Sequence, residues 1–228
     1  MTEALARWKD LCLDAEDQRT LGDFWAAVIG LRVETSPGKV SLEGAADHQR
    51  VWVNAVDRIK SVKHRVHLDV CAASVADLEA LGATVLERAE DTGFGWTVMA
   101  DPEGGKLCCF VREPDALPAY RLHGLGVDCV DPAAQAAWWG RVLGRPVTTY
   151  EGDPELLTLE HATPDPVLTL DFVRVPERRL GPNRVHWDLV GDVDALLAAG
   201  ATRLWDTDGW SVLADPEGNE FCVSGELG

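Results

Sequence analysis

Two short segments of this 228-residue chain carry the same chemistry-bearing spacing, Arg65-Val66-His67-Leu68-Asp69 and Arg184-Val185-His186-Trp187-Asp188. In an extended strand, side chains two residues apart project from one face, so each histidine shares a face with its aspartate. A carboxylate placed there can orient an imidazole and tune it as a general base, or the pair can contact a bound ligand. The same spacing also suits a plain polar core pair in which the aspartate satisfies the histidine. Val66, Leu68 and Val70 take the opposite, helix-packed face.

The elements that must position these pairs are repeated. Trp96-Thr-Val-Met-Ala-Asp101-Pro102-Glu103-Gly104 returns as Trp210-Ser-Val-Leu-Ala-Asp215-Pro216-Glu217-Gly218, 114 residues later. Phe24-Trp25 and Gly30 return as Trp138-Trp139 and Gly144 at the same offset. Two homologous halves, 1–115 and 119–228, are expected, joined at the proline-bearing segment Arg112 to Pro118. Within the first half, Arg7 to Asp14 alternates as a strand. A helix follows over about 17–29, with Leu21, Phe24, Trp25, Val28 and Ile29 on one stripe and Gly30 as its stop. In the second copy Asp131 is the expected N-cap, with Pro132 at the first helical position. The pattern restarts at Val66, with a helix opening at Ser74 and ending at Gly82. Strand, helix and three strands therefore occur four times.

Composition sets outer bounds. Apolar residues make up 46% and charged residues 26%, as in globular chains. A net charge of −17 repels nucleic acid and anionic membrane surfaces, so neither is expected as a partner. No apolar run is long enough to span a membrane, and no signal peptide is visible. The six cysteines form no C-x-x-C pair, which reads as reduced, buried thiols in a cytoplasmic protein. Of the nine tryptophans, Trp25, Trp138 and Trp139 sit on helix stripes as core. Trp52, Trp96 and Trp210 fit either packing or the lining of a cup for a flat aromatic ligand.

Asp14 to Gly30, Val66 to Asp69, Leu81-Gly82-Ala83 and Asp101 to Gly104, with their second copies, resemble the vicinal oxygen chelate superfamily. That superfamily includes glyoxalase I, bleomycin-resistance proteins and extradiol dioxygenases. The closer resemblance is to its actinobacterial glyoxalase-like subgroup. It implies an α+β fold of four βαβββ units, forming two tandem glyoxalase-like domains, each a curved eight-stranded mixed sheet with helices outside. A ligand or a divalent metal would occupy the concave side.

Metal-using members draw His, Glu or Gln from the first and last strands of each unit. Here the matching first-half positions hold Asp10, His67 and Cys108; the second half has Gly124, His186 and Cys222. His123 is expected on the other face of its strand, Asp171 lies in a suitable strand, and Glu220 shares a face with Cys222. A thiol with one imidazole and no carboxylate suits Mg, Mn or Fe(II) poorly, so no metal and no cofactor is expected. If an ion were held, Asp10 with His67 would be the place.

The expected ligand-binding residues are thus His67, Asp69, Cys108, His186, Asp188 and Cys222. Two functions stay open. One is a small-molecule-binding protein holding a hydrophobic or aromatic ligand. The other is a lyase or isomerase of secondary metabolism or detoxification using His67 or His186 as base, with or without a metal. A monomer with its halves paired about a pseudo-twofold axis is expected.

Overall fold

Asp17 starts the first helix by accepting hydrogen bonds from the backbone N–H groups of Arg19 and Thr20, and Gly30 ends it in the left-handed region. A Cβ at Gly30 would lie 2.0 Å from the Ala119 carbonyl oxygen, so packing as well as φ requires glycine there. These observations come from a computed structural model that describes residues 3–57, 61–150 and 153–225, with residues 153 and 154 as backbone only.

Four modules follow one another. The first comprises β1 (Ala6–Ala15), α1 (Gln18–Ile29), β2 (Arg32–Ser36), β3 (Lys39–Glu43) and β4 (Arg50–Ala55). The second comprises β5 (Val66–Ala72), α2 (Val75–Leu81), β6 (Thr84–Glu87), the single turn α3 (Ala89–Thr92), β7 (Thr97–Ala100) and β8 (Lys106–Val111). The third comprises β9 (Leu122–Cys129), α4 (Pro132–Leu143), β10 (Thr148–Tyr150), β11 (Asp153–Leu159) and β12 (Thr169–Arg174). The fourth comprises β13 (Val185–Gly191), α5 (Val193–Ala198), β14 (Thr202–Asp206), β15 (Ser211–Ala214) and β16 (Glu220–Ser224). Ser74 caps α2 by accepting from the Asp77 N–H, and Pro132 opens α4 behind its N-cap Asp131, both as the sequence predicts.

The strands form two eight-stranded mixed sheets. Sheet one runs β14-β15-β16-β13-β1-β4-β3-β2 and sheet two runs β10-β11-β12-β9-β5-β8-β7-β6. In the second and fourth modules the last strand lies parallel to the first, β5 with β8 and β13 with β16, and the other pairs whose register is described are antiparallel. The number and type of sheets agree with the expectation; their membership does not follow the halves. Each sheet takes one module from each half, the first with the fourth and the second with the third. Every module leaves one edge of its first strand open, and another first strand must cover that edge. Local patterns show that the edge needs a partner without naming the partner.

The chain separates into two compact bodies, Cys12–Val62 with His67–Gly124, and Met1–Leu11 with Lys63–Val66 and Leu125–Gly228. In each, helix stripes fill the core: Phe24, Trp25 and Ile29 are buried in one, Trp138, Trp139 and Leu143 in the other.

The repeated Asp-Pro-Glu-Gly turn is a structural fastening. Asp101 Oδ1 accepts from the Glu103 and Gly105 N–H groups at 2.9 and 2.7 Å. Glu103 then reaches across to accept from the Glu16 and Asp17 N–H groups, both at 2.9 Å, just before α1. In the second copy, Glu217 accepts from Val130 and Asp131 at 2.9 and 2.7 Å before α4. An acidic group there meets the unpaired donors and positive end of a helix. Burial pushes the Asp101 carboxyl up to about 6, against the backbone hydrogen bonds that favour its charged form.

Candidate functional site

Strand β5 is buried at all seven positions, which places it at the centre of sheet two. Val66, Leu68 and Val70 take the apolar face, leaving His67, Asp69 and Cys71 on the other. The parallel register with β8 sets Asp69 level with Cys108 and Cys71 level with Phe110. His67 Nε2 lies 3.4 Å from Asp69 Oδ1. His67, Asp69 and Cys108 each offer a donor atom, and these atoms lie within 4.8 Å of one another. The three residues are only 5, 7 and 4% exposed. The structure thus brings together the three first-half residues that the sequence singles out.

The next row of the same face is aromatic. Trp96, just before β7, approaches Phe110 across the strands at 5.3 Å between ring centroids. Phe94 stacks on Trp96 at 4.9 Å and 6°, and His123 of β9 meets Phe110 edge-on at 4.6 Å. The small Cys71 side chain leaves room for Phe110 and His123 to meet over β5. Arg112 completes the row, its guanidinium carbon 5.6 Å from the Phe110 centroid. Burial lowers the His123 imidazole to about 4, and the Arg112 charge adds to the effect. His123 is therefore neutral at ordinary pH.

His123 corrects an expectation, since it meets the face that carries Phe110 instead of the opposite one. The Asp128 N–H bonds the Arg65 carbonyl and the Cys71 N–H bonds the Arg121 carbonyl, two pairings that differ by one residue in register, so simple alternation does not run through the start of β9. Phe94 and Phe110 also escape the sequence reading. Phe110 sits two residues after Cys108, a spacing that contained the signal.

In sheet one, His186, Asp188 and Cys222 are half-buried. The parallel register sets Asp188 level with Cys222, whose thiol donates a hydrogen bond to the carboxylate. Burial pushes the Asp188 carboxyl up, while His186, that hydrogen bond and Lys9 oppose the shift and Asp10 adds to it. Asp10 therefore lies by Asp188. Asp10 stands on β1 in sheet one and His67 on β5 in sheet two, and the donor atoms grouped with His67 belong to Asp69 and Cys108. The other two acids have local partners. Glu220 is bonded by Arg179 and accepts from the Asn183 N–H at 3.3 Å. Asp171 accepts from Thr158 and Thr169 hydroxyls at 2.8 and 2.7 Å.

The His67–Asp69–Cys108 trio also revises the argument about metals. Asp69 supplies the carboxylate missing from a set of thiol and imidazole alone. One nitrogen, one oxygen and one sulfur donor on a single face suit a borderline-soft ion such as zinc better than Mg or Mn.

Comparisons with known proteins agree on the architecture. The glyoxalase-like domain family matches residues 10–110 and again 124–224. Glyoxalase I from Zea mays superposes with a TM-score of 0.62 at 15% identity, covering 96% of this chain and 92% of that one. A putative dioxygenase from Bacillus subtilis subsp. subtilis str. 168 gives 0.61 at 17% identity, covering 100% and 87%. No curated protein matches the chain. With the family pattern present twice and the sheets built to match, the chain belongs to the glyoxalase-like domain family, as a tandem pair.

Proposed function

We propose that the protein binds a small hydrophobic or aromatic molecule on the face of sheet two that carries His67, Asp69 and Cys108. The observation that carries this reading is the adjacency of a polar trio and an aromatic row: His67, Asp69 and Cys108 beside Trp96, Phe110 and Phe94. Such sites combine apolar walls with a few convergent polar groups. The ring faces contribute most of the contact area, and the trio fixes orientation. His186, Asp188 and Cys222 form the corresponding polar set of the second half, and tandem domains of about 1–115 and 119–228 remain our proposed division.

A second reading is favoured by the 3.4 Å approach of His67 to Asp69. The aspartate orients the imidazole as a general base for a lyase or isomerase. If His67, Asp69 and Cys108 held a divalent ion, the ion would polarise a bound carbonyl oxygen. In our reading the ligand site works without metal or cofactor.

Among the described residues, no helix is long and apolar enough to cross a membrane. All six cysteines are free thiols, which supports a cytoplasmic setting. We place the protein there as a monomer, since each first strand already has a first strand beside it. Titration calorimetry with naphthalene derivatives tests the binding reading. Saturable binding that Phe110→Ala weakens supports it. Turnover of a carbonyl substrate that His67→Ala abolishes would favour the second reading.

A further inference from the structure

The aromatic row of the second module is not a requirement of the fold. At the offset that carries Trp96 to Trp210, Phe94 aligns with Asp208, Phe110 with Ser224 and Arg112 with Glu226. The fourth module builds the same strands without the phenylalanines and with the charge reversed in sequence. What the first half adds is therefore specific to it: an accessible ring surface and a cation beside it. Phe94 is 48% exposed, and Trp96 and Phe110 are half-buried.

Charge then selects the ligand. The chain carries 38 acids against 21 bases, yet the group placed over the Phe110 ring is the exposed guanidinium of Arg112. Asp69 lies one row away in the opposite direction along the strands, level with Cys108. A ligand with its ring on Trp96 and Phe110 meets a cation at one end and a carboxylate at the other. The geometry points to a site for a flat aromatic anion, its ring on Trp96 and Phe110 and its carboxylate-type group on Arg112. Neutral His123 closes the row without bringing a competing charge. This inference rests on the ligand-binding reading above and adds the class of ligand.

The probes are 2-naphthoate and its neutral analogue 2-naphthalenemethanol, measured by titration calorimetry on the full chain. The carboxylate is expected to bind about tenfold more tightly, the worth of one charge-assisted hydrogen bond. Arg112→Gln is expected to remove that preference while leaving the alcohol's affinity in place. The exposed Phe94→Ala weakens both probes, and Trp210→Leu in the other half changes neither. A preference for the carboxylate that survives Arg112→Gln overturns the inference, as does equal binding of the two probes by the native chain. Equal binding leaves the broader reading standing; absence of binding by both probes removes both readings.

Discussion

Replacing His123 by Phe keeps a ring against Phe110 and removes one titrating group. In the native state the His123 imidazole protonates only near pH 4; in the unfolded chain it does so near 6.5. Between those values the unfolded chain binds more protons, so the histidine's effect on stability worsens as the pH falls through this window. The difference in pKa corresponds to about 3 kcal/mol when complete. Asp101 acts with the opposite sign. Its native pKa of about 6 lies above the unfolded 3.8, so the native state binds more protons there, and acidification from pH 6 to 4 strengthens the fold. In the native chain the two effects offset each other. Urea unfolding of native and His123→Phe proteins at pH 7, 6, 5 and 4 separates them, because every other group is common to both. The variant is expected to gain on the native protein as the pH falls, by about 3 kcal/mol at full protonation of the unfolded histidine. A difference between the two that stays flat from pH 7 to 4 would refute the reasoning, as would an NMR titration of His123 with a midpoint near 6.5.

Glu103→Ala removes the acceptor for two backbone donors ahead of α1 and is expected to cost about 1–2 kcal/mol in urea unfolding, with Glu103→Gln losing less. His67→Ala is expected to weaken binding of a naphthalene probe by about tenfold or more while circular dichroism stays native, and His186→Ala provides the same test for the second half. Loss of the fold in either variant would make that histidine a core residue. Elemental analysis of untagged protein, followed by dialysis against a chelator, is expected to leave probe affinity unchanged. One equivalent of zinc whose removal abolishes binding would move the assignment to the metal-assisted reading.

Much of the fold is readable from the sequence because the caps and stripes are local. Asp17, Gly30, Ser74 and Pro132 mark helix ends with side-chain and backbone chemistry confined to a few residues. The His-x-Asp pairs are readable for the same reason, since alternation decides their face within one strand. The placement of Asp10 was not readable, because it depends on which first strands meet, and that choice joins modules far apart in the chain. The face of His123 was lost to an irregular start of β9, and the aromatic row needed the register between β7 and β8. Single-strand periodicity shows which residues face inward. Only the pairing between strands shows which of them meet.

The strand order is nested like brackets, with the second and third modules inside the first and fourth. As the chain leaves the ribosome, β5 can find β9 soon after the middle of the sequence has been made. Strand β1 is synthesised long before its partner and waits for β13, which begins at Val185. Through that interval its edge is open to any other extended segment, including one from a neighbouring nascent chain. A chain cut after the first half would hold two such edges, β1 and β5, and nothing to close either of them. Its natural outcome is association with another copy. Long-range closure also slows folding, so sheet one should be the last part of the molecule to become protected.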